Sequence, residues 1–163
     1  MNRGILRGLT NATARFNPGT PTVELDYAQF TTTVSPTATT EAGADVVVTG
    51  NAVSYDGTTT VAIEFVAGTL RPAAVLGAIL RLWLFQDGAS IGRLATFTGE
   101  STSGGGSVGA YTACHAVRRL TPTAGSHTYS VRADVSTGTA SIEAGAGGAG
   151  NNVPGFIRIS RVV

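Results

Sequence analysis

The feature that most constrains this chain is a two-residue apolar repeat carried in short runs between clusters of turn-forming residues. Val61, Ile63 and Phe65 alternate with Ala62, Glu64 and Val66, and Val23, Leu25 and Tyr27 alternate with Glu24, Asp26 and Ala28. His127, Tyr129, Val131, Ala133 and Val135 share one face of a third run. Alternation at period two is the pattern of a strand buried on one side. Tyr55-Asp56-Gly57, Asp87-Gly88 and Thr121-Pro122-Thr123-Ala124-Gly125 punctuate the runs with residues that accept left-handed backbone or preset a turn. Asp45–Val53, Ile79–Phe85, Ser90–Phe97, Tyr111–Leu120, Thr139–Glu143 and Phe156–Val162 read as further strands. Ala73–Leu84 has a composition compatible with a helix, but its strand-like neighbours favour β. About eight strands at this spacing predict an all-β sandwich or jelly roll.

The 163 residues suit one domain, read here as a docking arm and connector over 1–43 followed by the β domain over 44–163. The arm carries Arg3, Arg7, Arg15 and Phe16 and lacks clean periodicity; Thr31–Thr40, with Pro36, reads as its connector. Charged residues make up 13%, about half the usual share, so much of the surface is small and polar or is covered by further copies. A net charge of +1 gives no general attraction to nucleic acid or acidic lipid. All eleven basic residues are arginine, which removes lysine-dependent Schiff-base and P-loop chemistry. The lone Cys114 cannot form an intramolecular disulfide. No secretory signal is readable, and the most apolar stretch, Ala73–Phe85, is too short for a bilayer and contains Arg81.

Motifs that could carry chemistry have simpler readings. Gly145-Ala146-Gly147-Gly148-Ala149-Gly150 matches G-x-G-x-x-G, but Asn151-Asn152-Val153-Pro154-Gly155 cannot open the helix that mechanism needs. The glycines read instead as a loop allowing close backbone approach. Cys114, His115 and His127 lack the spacing of a zinc site, and the adjacent Cys114 and His115 point to opposite faces of a strand. Ser126, His127 and Asp134 supply the residue types of a hydrolytic triad without the geometry. Glu64, Asp87 and Glu143 show no pairing signature. Arg118, Arg119 and Arg132 read as separate salt bridges, and Asn11-Ala12-Thr13 as a chance sequon. No catalytic residue, metal or cofactor is expected.

The order of several segments resembles small bacteriophage virion proteins with a C1q/TNF-like jelly roll. These are Val53-Ser54-Tyr55-Asp56-Gly57, Val61–Phe65, Leu84–Gly88, Arg118–Pro122, Gly125–Ala133, the 144–150 glycine loop and Pro154–Ile159, together covering roughly residues 45–163. The resemblance implies an antiparallel jelly-roll sandwich that assembles as a homotrimer with its final strand near the threefold axis. It points to Tyr129, Phe156 and Ile159 as interface residues, and it implies no enzymatic residues. The expected function is a non-enzymatic virion structural protein, a trimeric knob held by its arm at the tail tip or on a fibre, where an exposed knob would touch the host surface. The rival expectations are a capsid decoration or head-spike protein and a free lectin-like module. For the latter, Tyr55-Asp56, Tyr111 and Asn151-Asn152 are the residues suited to a host-surface glycan. Other virion proteins are the expected partners, without nucleic acid or membrane insertion, in a particle assembled in the host cytoplasm.

Overall fold

The computed structural model describes residues 23–101, 107–108 and 111–162. Its strands are β1 (Val23–Phe30), β2 (Asp45–Thr49), β3 (Val53–Asp56), β4 (Val61–Arg71), β5 (Ile79–Gln86), β6 (Ala89–Thr98) and β7 (Glu100–Ser101). They continue with β8 (Ser107–Val108), β9 (Thr112–Leu120), β10 (Ala124–His127), β11 (Tyr129–Val135), β12 (Ser141–Glu143) and β13 (Gly155–Arg161). A single 3-10 turn over Glu41–Gly43 is the one helical element among the described residues.

Two antiparallel sheets face each other across one core. The first runs β1–β13–β4–β9, and β12 continues the lane of β13 along the far half of β4. The second runs β2–β11–β5–β6, while β3 and β10 form a separate two-stranded ribbon. The alternation read from sequence decides which side chains meet. Val61, Ile63, Phe65, Ile157 and Ile159 of the first sheet and Leu80, Leu82, Leu84, Tyr129 and Val131 of the second belong to one buried cluster. Each such aliphatic or aromatic group contributes about 1.5–3 kcal/mol relative to exposure. Asp87 and Gly88 join β5 to β6 with φ of 52° and 83°, and Gln86 pairs with Ala89. Positive φ at both central residues is the two-residue turn whose twist matches a hairpin.

Several expected boundaries move. Asp45–Val53 is not one strand: Gly50 donates to the Tyr129 carbonyl at 2.9 Å, and Asp26 takes the Asn51 N–H at 2.7 Å. Those bonds turn the chain, so β2 joins the second sheet and β3 the ribbon. His127–Val135 likewise breaks at Thr128, whose N–H donates to Asp87 Oδ1 at 2.8 Å. β1 lies before the 43/44 division and belongs to the first sheet. β1 pairs with β13 from Val23 to Phe30, and Phe30 stacks on Phe65 with centroids 6.2 Å apart, so residues from Val23 onward are part of the sandwich. Arg3, Arg7, Arg15 and Phe16 lie outside the described residues.

Candidate assembly face

The outward phase of the first sheet is set by strand pairing. Glu64 and Val66 of β4 point away from the core, opposite Val117 and His115 of β9. On the other side Glu64 faces Arg158 and Val66 faces Phe156 of β13, while Tyr27 and Gln29 of β1 lie opposite Arg158 and Phe156. A solvated sheet face normally reads polar. Here Tyr27 is 44% exposed and Val117 54% exposed, and Tyr27 packs on Phe156 with ring centroids 5.3 Å apart.

Between these apolar groups runs a charged line across three strands. Arg158 Nε donates to Glu64 Oε2 at 2.7 Å, and His115 Nε2 lies 2.8 Å from Glu64 Oε1. The Arg158 guanidinium also reaches the Phe156 ring, at 5.9 Å from its centroid. In water such a pair is worth about 0–1 kcal/mol. Covered by a partner it would be desolvated, and its fixed direction would then discriminate between orientations of that partner.

The sequence-expected residues fall on both sides of this sheet. Phe156 is on the outward face and half-buried. Tyr129 and Ile159 are fully buried within one protomer, and Tyr129 packs edge-on against Tyr55 and donates to Gln86 Oε1 at 3.3 Å. Those two side chains are therefore part of the core of a single protomer. Tyr27, Glu64, His115, Val117 and Arg158 were not singled out as a group. The signal available was the outward phase of β4 and of its two neighbours.

Two further polar clusters organise the fold. His127 Nδ1 lies 2.6 Å from Asp87 Oδ2, and its Nε2 lies 3.0 Å from Thr123 Oγ1 and 3.1 Å from the Thr123 carbonyl. Carboxylate, imidazole and hydroxyl have the connectivity of a hydrolytic relay, but the carbonyl competes for the same ring nitrogen. The group ties the β5–β6 turn to β10. The Thr128 N–H and the His127 side chain hold the Asp87 carboxyl below the usual carboxylate range. Asp134, wholly buried, accepts from Arg81 Nε at 2.8 Å, Arg81 Nη2 at 2.7 Å and Trp83 Nε1 at 2.9 Å. Its partners are thus on β5, away from Ser126 and His127.

Cys114 is buried and desolvation pushes its thiol up to about 11, whereas the adjacent His115 is exposed, as strand alternation requires. Arg118 donates to the Ile91 carbonyl at 2.6 Å and Arg132 lies 4.4 Å over the Phe85 ring centroid, and the ion pairs among the described residues include neither. In the 144–150 loop Gly147, Gly148 and Gly150 have φ of 79°, 101° and 77°, and Gly147 donates to the Asn152 carbonyl at 3.0 Å. Of the glycan-suited residues, Tyr55 is buried, Asp56 caps its own turn through the Thr58 and Thr59 N–H groups, and Tyr111 is exposed. No three His, Cys, Asp or Glu side chains gather as a metal site among the described residues, and no helix there is long and apolar enough to cross a membrane. No protein-family model matches this chain, and no curated protein matches it.

Proposed function

We propose that this chain is a non-enzymatic structural protein of a bacteriophage virion, a homotrimeric jelly-roll knob carried at the tail tip or on a fibre. The observation that carries the reading is the outward face of β1–β13–β4–β9. It presents Tyr27, Phe156 and Val117 to solvent around the Arg158–Glu64–His115 line. Apolar groups ringing a directional charge network suit a head-to-tail contact between copies, which a threefold axis closes into a ring.

The wiring supports the jelly-roll reading. The chain passes from β1 to β2, back to β4, across to β5 and β6, back to β9, across to β11 and back to β13. That alternation between facing sheets suits a doubled Greek key. β1, which begins at Val23, is an edge strand of the first sheet.

Light scattering on the full chain tests the reading. The expected mass is three times 16.5 kDa. Val117→Asp or Tyr27→Asp should return a folded monomer, because each places an unpaired charge in the contact. A monomeric wild type, or a trimer unaffected by both substitutions, would sink the assembly face. A truncation test of the arm should begin at Val23 and not at Ala44, because a start at Ala44 removes β1 from its sheet.

A further inference from the structure

At one end of the sandwich a cavity of about 280 Å³ is lined by Ser35, Arg71, Ala74, Thr139, Ala140 and Ser141. Arg71 and Ser141 lie opposite each other where β12 pairs with β4, and Ser35, Ala74, Thr139 and Ala140 lie on adjoining segments outside the strands. Val34, next to Ser35, exchanges hydrogen bonds of 3.0 and 2.8 Å with Ile142, next to Ser141.

Arg71 sets the chemistry. Its guanidinium lies 5.3 Å from the centroid of the Tyr111 ring, a cation–π contact at the protein surface. Among the described residues no carboxylate pairs with it; the ion pairs there involve Arg81, His115, His127 and Arg158. Ser141 Oγ donates to Glu143 Oε1 at 3.3 Å, so toward the cavity it offers lone pairs. Ser35 and Thr139 add hydroxyls that donate or accept, and the Ala74 and Ala140 methyls form an apolar floor.

A planar anion that also carries hydroxyls answers all of these groups. The fork takes a carboxylate through two parallel hydrogen bonds. Ring hydroxyls exchange hydrogen bonds with Ser35, Thr139 and Ser141, and a sugar's C–H face rests on the methyls. Inorganic phosphate would satisfy the fork and leave the acceptor of Ser141 and the apolar floor unused. The volume sits just under the roughly 300–1,000 Å³ of sites for drug-sized ligands, which suits one sugar unit and not an extended chain.

We propose that this cavity binds a single acidic sugar residue, a uronic or sialic acid unit, with its carboxylate on Arg71. The inference does not depend on trimerisation, because every lining group comes from one chain. The test is saturation-transfer NMR and calorimetry on the full chain with glucuronic acid, N-acetylneuraminic acid, glucose and inorganic phosphate. One or both acidic sugars should bind at least about tenfold more tightly than glucose, since a charged hydrogen-bond pair is at stake. Arg71→Gln, an exposed change that leaves the fold intact by thermal unfolding, should abolish that preference. Ser35→Ala should weaken binding about threefold, the loss of one neutral hydrogen bond. Glucose binding as well as the acids, phosphate competing as strongly, an indifferent Arg71→Gln variant, or no binding by any probe would each overturn the proposal.

Discussion

The two sheets carry aromatic residues on their outer faces, and the chain treats them differently. On the second sheet Trp83 and Phe85 point outward, yet they are only 7% and 2% exposed. Ala44 packs beside them, Arg93 lies 4.8 Å over Trp83, and Arg132 lies 4.4 Å over Phe85. Arg81 donates to the Thr39 carbonyl at 3.2 Å, drawing the connector across the same face. On the first sheet Tyr27 and Val117 have no such cover among the described residues. An outward aromatic that the chain itself covers is spent on stability; one left open is available for association. The residue types are alike on both faces, and only the distant segment laid across one of them separates the two roles.

The sharpest way to break this comparison is to remove a carboxylate from each face. Asp134 is fully buried under three donors, and Asp134→Ala would strand Arg81 and the Trp83 N–H. The expected loss is about 3 kcal/mol, at the lower end for a broken buried pair because Arg81 keeps some water contact. Glu64→Gln removes the corresponding charge from the open face and should cost no more than about 1 kcal/mol. Urea unfolding of the two variants measures both. Equal losses would mean that the faces do not differ in burial as described.

The same contrast shows how far the sequence could be read. The inward phase of β4 and of β11 was legible because Val61, Ile63, Phe65 and Tyr129, Val131, Ala133 repeat at period two, and period two fixes the face. The Asp87-Gly88 turn was legible because its chemistry is local. The break at Gly50 was not, because it depends on Asp26, a residue from another strand that captures Asn51. The outer faces were illegible for the same reason. Tyr27 reads from period two as sharing a face with Val23 and Leu25, yet the register shift between Glu24 and Asp26 leaves it exposed and buries Asp26; whether Ala44, Arg93 and Arg132 arrive to cover Trp83 is decided by sheet order. Tyr129 and Ile159 show the converse. Their inward phase was readable, and the interface role came from a family resemblance, not from the residues.

A gentler test works through the cover. Trp83 is the single tryptophan, so its fluorescence reports on the sealed face alone. Arg93→Ala removes the guanidinium above the indole and should shift emission to the red. It should lower stability by about 0.5–1 kcal/mol, the range for a cation–π contact near solvent. The matched change on the open face, Arg158→Ala, should leave the emission where it is. A red shift from Arg158→Ala as well would mean that the two faces communicate, and the comparison would have to be redrawn.

The smallest expected effect concerns the clip that holds the connector in place. Asp45 Oδ2 accepts from the Thr37 N–H at 2.6 Å and the Ala38 N–H at 3.0 Å, and Ala38 in turn accepts from Val135 at 2.8 Å. The Ala38 and Thr37 N–H groups hold the Asp45 carboxyl below its usual range. A carboxyl depressed in the fold stabilises it fully above its unfolded value, near pH 4, and that stabilisation fades as pH falls through the folded value. Acid below about pH 4 should therefore loosen residues 37–45 over the second sheet before global unfolding and begin to expose Trp83. Asp56 and Asp87 are depressed in the same direction, so overall stability also declines in acid, but neither contacts the connector. Asp45→Asn separates the contributions: it should flatten the acid-induced change in Trp83 emission while leaving most of the acid decline in global stability. An unchanged emission profile in that variant would mean that the cover on the second sheet is held by Ala44, Arg93 and Arg132 without the clip.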